Sequence, residues 1–174
     1  MPQCRWDPVV VRWYCGPMSI ATRLAELDIV LPPPMRTGGL PFQLVRVHGN
    51  RALVAGHVPL DGEGRMAKPL GKVGAEVTPE QGHAAARLCA LAMLASLQAE
   101  LGSLDRIEGW LRVFGMVNAA PGFNALPAVI NGCSEVLMEV FGESIGGHAR
   151  SAIGVAELPF GVPVEIEAEV AIRD

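Results

Sequence analysis

Arg150-Ser151-Ala152-Ile153-Gly154-Val155, followed after a loop by Val164-Glu165-Ile166-Glu167-Ala168-Glu169-Val170-Ala171-Ile172, reads as two consecutive β-strands. The loop between them holds Pro159, Gly161 and Pro163, which cannot continue either strand. Working backwards, Ala128 to Phe141 predicts a helix ended by Gly142, and Trp110 to Val117 predicts a strand from its aromatic and β-branched content. Thr78-Pro79-Glu80-Gln81 is a capping box with proline at the first helical position, so a helix should run from there to about Leu101, where Gly102 stops it. Ala84, Ala85, Ala86, Ala90, Ala92 and Ala95 let that helix lie close to a sheet, while Leu88, Leu91, Leu94, Leu97 and Leu101 fill volume. Further out, Phe42 to Val47 and Arg51 to Val58 flank the turn signal Gly49-Asn50 and read as a hairpin. The order β-β, helix, β, helix, β-β predicts an α+β fold, a mixed sheet with both long helices packed on one face.

A chain of 174 residues accommodates one domain with a sizeable core. Half of the residues are apolar and 18% are charged, which excludes intrinsic disorder because burial can offset the ordering entropy. Fourteen basic against eighteen acidic residues give a net charge of −4. With no Lys/Arg run to track a phosphate backbone, nucleic acid is not an expected partner. The longest apolar stretch, Leu88 to Leu97, is about half the length of a membrane span and is expected to be a core helix, with no membrane partner. Cys4, Cys15, Cys89 and Cys133 lack the short spacing of a zinc or redox site and are expected to be free thiols in a reducing cytoplasm.

Residues 1–17 hold two of the three Trp, the only Tyr and two of the four Cys. The composition changes abruptly at Met18, so Met18 is expected to be the natural start and 1–17 an appended extension. Ser19 can cap a short helix to about Leu27. Pro32-Pro33-Pro34 then forms a stiff linker, so that 18–39 is a helix plus linker and the main domain spans 40–174.

Common catalytic signatures are missing or out of context. Gly62-Glu63-Gly64-Arg65-Met66-Ala67 fits a dinucleotide fingerprint in letters only, because Pro69 and Gly71 prevent the helix it must open. Gly71-Lys72 is followed by Val73 where a phosphate-binding loop needs a hydroxyl. His48, His57, His83 and His148 have no metal-ligand spacing, so neither a metal nor a cofactor is expected. No G-x-S-x-G elbow occurs.

Alternation puts Arg150, Ala152 and Gly154 on one strand face, where a guanidinium beside small residues has room to hold a small carboxylate. The same pattern also suits an ordinary surface arginine. On the last strand Glu165, Glu167 and Glu169 oppose an apolar row, and spacing singles out none of them.

His148-Ala149-Arg150-Ser151-Ala152-Ile153-Gly154-Val155, Leu158-Pro159 and Val164-Glu165-Ile166-Glu167-Ala168 resemble the RidA/YjgF family, also called the L-PSP endoribonuclease family. The likeness extends back through Gly49-Asn50, Ala55-Gly56-His57-Val58-Pro59, the Ala-rich helix and Val117-Asn118, covering about residues 40–174. Ser19 onward, the proline linker and Asn131-Gly132-Cys133-Ser134 are similar to a longer, less-characterised branch. The resemblance implies a chorismate-mutase-like α+β fold, a homotrimer, and ligand sites between neighbouring subunits. It implies that Arg150 holds the carboxylate of a 2-imino or 2-enamino acid and that Glu165 activates water, giving a 2-keto acid and ammonia without metal or cofactor. Phe42 stands where the family has tyrosine and Ala152 where it has cysteine, leaving only the backbone carbonyl for that role; Asn131 is the candidate for the family's helix asparagine. Ala55 and His57 replace the ends of the family's S-G-Q. The main alternative is a trimeric binder that senses small carboxylates. RNA cleavage ranks last, given the acidic charge and the lack of a basic tract.

Overall fold

A computed structural model describes residues 4–7, 12–15 and 18–173. The chain divides into two compact units, 1–30 and 31–174. In the first, β1 (Cys4–Asp7) pairs antiparallel with β2 (Arg12–Cys15), Trp6 opposite Trp13. The composition shift alone suggests no ladder there, although Trp and Tyr favour strands. The expected extension before Met18 falls only partly within the described residues. α1 (Ile20–Glu26) starts as expected, the Ser19 hydroxyl accepting from the Thr22 amide at 3.1 Å.

The second unit has a five-stranded sheet in the order β3 (Val45–His48), β4 (Arg51–His57), β7 (Val164–Ile172), β5 (Ile107–Asn118), β6 (Ala149–Val155). Only β5 and β6 pair in parallel, so the sheet is mixed. α2 (Pro79–Leu101) and α3 (Leu126–Gly146) pack on each other and on one face of the sheet. α2 opens with the complete capping box: Gln81 N–H donates to Thr78 Oγ1, and Thr78 N–H donates to Gln81 Oε1. Long and apolar enough to cross a membrane, α2 is instead mostly buried in this core. In α3 the helix breaks at Gly142, as expected, where φ is +71°, and one more turn follows to Gly146. β5 begins three residues before the predicted Trp110, joined to α2 by a 3-10 turn at Leu104–Arg106. The dinucleotide-like letters form a turn: the Asp61 carboxylate accepts from the amides of Glu63 and Arg65.

Alternation sorts the sheet cleanly. Val164, Ile166, Ala168, Val170 and Ile172 of β7 are buried under the helices, and Val113 and Val117 of β5 join them. Glu165, Glu167 and Glu169 point to the face opposite α2 and α3, together with Arg112, Phe114 and Met116 of β5. Register then places Arg150, Ala152 and Gly154 on the helix face, because they pair with Val113, Gly115 and Val117.

His57 lies in this core with no exposed surface. Its Nδ1 is 2.7 Å from the Ala55 carbonyl and its Nε2 2.8 Å from Ser96 Oγ. Burial pushes the imidazole pKa down, against a smaller upward pull from the Ala55 carbonyl. The folded value is therefore below the unfolded one of about 6.5, and the unfolded state binds more protons between them. Stability is full above about pH 6.5 and falls as pH drops toward the folded value, by up to about 1.4 kcal/mol per unit. Urea midpoints at pH 7.5 and 5.5 should show this fall, and His57→Gln should reduce it.

Candidate active site

Arg150 sits on edge strand β6 beneath the N-terminal half of α3. Pro127, Asn131 and Ser134 are spaced i, i+4, i+7, so one helix face presents all three to it. Arg150 Nη1 donates to Asn131 Oδ1 and to Ser134 Oγ, both at 2.9 Å, and Nη2 donates to the Pro127 carbonyl at 3.4 Å. These bonds use both hydrogens of Nη1 and one of Nη2. Among the described residues nothing bonds the Nε–H, and Nη2 keeps a second hydrogen beyond its bond to the Pro127 carbonyl. These remaining hydrogens are donors that a carboxylate can accept. Ala152 and Gly154 follow Arg150 on the same face and contribute almost no bulk.

Ser134 and His148 were not among the expected site residues. His148 Nε2 is 2.9 Å from Ser134 Oγ, and its Nδ1 is 2.7 Å from the Gly146 carbonyl. His148 lies just before β6 and Ser134 within α3, and no local spacing joins them. Cys133, beside Ser134, is fully buried, and burial pushes its thiol pKa up to about 12 against the opposing pull of Arg150. It is too poor a thiolate to act as a nucleophile.

Glu165 is elsewhere. It lies on the face of β7 opposite the helices, with β5 between it and β6, so the sheet itself separates its carboxylate from Arg150. Partial burial, and then the like charge of Glu167, raise its pKa, which suits a proton acceptor. Its carboxylate lies against Gly56, where a Cβ would collide with Oε1. Gly56 sits in the β-bulge between Val54 and His57, and that irregularity makes the close approach. Phe42 lies before β3, at the other edge of the sheet, 48% exposed beside a hollow of about 430 Å³ that Arg36, Ser96 and Glu100 help line. The chain thus brings Arg150, Asn131 and Ala152 together and holds Glu165 and Phe42 apart from them. Among the described residues, no group of three or more His, Cys, Asp or Glu is placed to hold a metal.

Residues 35–162 match the family model described as "YjgF/chorismate mutase-like, putative endoribonuclease", and the chain belongs to that family. Protein TCP17 of Trypanosoma cruzi is 38% identical over 155 residues, covering 89% of this chain and 95% of that one. The crystal structure of Atu1372 from Agrobacterium tumefaciens, a protein described as of unknown function, is 37% identical with a TM-score of 0.79, covering 89% and 94%. The E. coli YjgF gene product, at 23% identity and a TM-score of 0.56 over 82% and 94%, shares the fold.

Proposed function

We propose that this protein hydrolyses small 2-imino and 2-enamino acids to 2-keto acids and ammonia, at sites shared between neighbouring subunits of a homotrimer. The observation that carries this is the guanidinium of Arg150, held by α3 through Nη1 and one hydrogen of Nη2, with the Nε–H and the second Nη2 hydrogen left beside Ala152. A carboxylate held there leaves the adjacent imine carbon fixed for attack, which converts a bimolecular step into an oriented one. Glu165, with its raised proton affinity, takes the proton of the attacking water. Because Arg150 and Glu165 lie on opposite faces of one sheet, a complete site needs the glutamate of another subunit. The glutamate face, with exposed Leu53 and Ile153 among its charged residues, is the surface we assign to that contact.

The test is keto-acid release from 2-iminobutanoate or 2-aminoacrylate, generated in situ by a dehydratase. Acceleration by the protein is expected, and its absence from folded trimer would leave a carboxylate-binding role, to which Phe42 lends support because it lacks the hydroxyl of tyrosine. Gly56→Ala is a second probe. The clash falls on the flexible end of Glu165, so the chain should fold, with its melting temperature nearly unchanged. The displaced carboxylate should lower kcat/KM by roughly tenfold or more.

A further inference from the structure

We infer that His148 and Ser134 are positioning residues for the carboxylate clamp: the imidazole orients the hydroxyl, and the hydroxyl orients the guanidinium of Arg150. The assignment rests on the reading of Arg150 as the group that holds the ligand's carboxylate. The Gly146 carbonyl can only accept, so the hydrogen of the neutral His148 ring sits on Nδ1 and Nε2 is left as an acceptor. The hydrogen between Nε2 and Ser134 Oγ, 2.9 Å apart, is therefore the serine's own. Arg150 Nη1 can only donate, so it takes a lone pair of the same hydroxyl oxygen, also at 2.9 Å. Left to itself, a helical serine turns its hydrogen to a carbonyl one turn back. His148 takes that hydrogen instead and holds the free lone pair toward Nη1.

The backbone keeps the imidazole in place. After the break at Gly142 the chain folds back along α3, and Gly146 lies so close that a Cβ there would strike the Leu137 carbonyl. Gly146 is buried in this contact, and the half-buried ring of His148, two residues on, spans from the Gly146 carbonyl to Ser134. An arginine on an edge strand has a long flexible stem, and a carboxylate that binds it must first still that motion. Here α3 has already stilled it: Asn131 and Ser134 use both Nη1 hydrogens and the Pro127 carbonyl uses one of Nη2. The Nε–H and the second Nη2 hydrogen are then presented to the ligand in a fixed plane. Ser134 and His148 act on the carboxylate only through Arg150.

A clamp set in advance strengthens carboxylate binding equally in the ground and transition states, so its loss falls on KM and spares kcat. Calorimetric titration with 2-ketobutanoate reads the clamp without turnover, and steady-state rates with in situ 2-iminobutanoate read the split. Ser134→Ala and His148→Leu are each expected to weaken 2-ketobutanoate binding about tenfold and to raise KM by a similar factor, with kcat within about twofold. His148→Gln should stay within about threefold of wild type in affinity, because its amide can donate to the Gly146 carbonyl and accept from Ser134. Melting curves accompany each titration, and Ser134→Ala is helix-compatible and leaves Asn131 on Nη1, so folding is maintained. A bond that merely ties α3 to β6 would lower the melting temperature and leave the affinity of folded protein unchanged. Affinity within about twofold of wild type in both Ser134→Ala and His148→Leu would overturn the assignment and leave the clamp standing, as would a loss in His148→Gln equal to that in His148→Leu. Wild-type protein that binds no 2-ketobutanoate would overturn the clamp and the assignment with it. Binding without turnover would remove imine hydrolysis alone, and the affinities would still decide the assignment.

Discussion

Gly132→Ala is expected to destabilise the protein by about 3 kcal/mol or more, lowering its melting temperature on the order of 10 °C. An ordinary glycine inside a helix gives the opposite result, since alanine gains about 1 kcal/mol there from helix propensity alone. Gly132 differs because α2 and α3 cross at this point. A Cβ would strike the His83 carbonyl and crowd the Arg87 amide, which are backbone atoms of α2 that no rotamer change can move. The helices must separate, and the packing of Cys89, Val129, Ile130 and Val136, all without exposed surface, goes with them. Calorimetry on the wild type and the variant checks both sign and size. A stabilised variant would mean that the two backbones do not approach this closely.

Arg150→Ala is expected to cost about 3 kcal/mol of transition-state stabilisation, a little over 100-fold in kcat/KM for imine hydrolysis. The folded protein should tolerate the change to within about 1 kcal/mol, because β6 is an edge strand and Arg150 is only partly buried. Arg150→Lys keeps the charge and loses the paired donors, so it should recover a minor part of the activity. Steady-state rates beside melting curves separate the two effects. Activity within a few-fold of wild type in a folded Arg150→Ala protein would remove the carboxylate clamp from the mechanism.

Most of the fold was legible in the chain because its signals are local. Thr78-Pro79-Glu80-Gln81 specifies a helix start by its own hydrogen bonds, Gly49-Asn50 a hairpin, and the alternation from Val164 to Ile172 a half-buried strand. Alternation also separated the glutamates of β7 from its apolar row. What it could not do was relate β7 to β6, since facing depends on strand order and on the parallel pairing of β6 with β5. Hence Arg150 and Glu165 could be named from resemblance while their placement on opposite faces could not. Asn131 was a candidate only, and its bond to Arg150 depends on how α3 lies over β6. Ser134 and His148 were missed for the same reason, each being unremarkable until the tertiary fold sets them 2.9 Å apart.

We propose that one active site is built from two subunits, Arg150 from one and Glu165 from its neighbour. Arg150→Ala and Glu165→Gln proteins, each inactive alone, can be unfolded together, refolded as a mixture and assayed for keto-acid release. Random assembly of equal amounts into trimers joins an intact arginine to a neighbour's intact glutamate at about a quarter of the sites. Recovery of about that fraction of wild-type activity is the predicted result, and a mixture no more active than its two components would contradict the shared site.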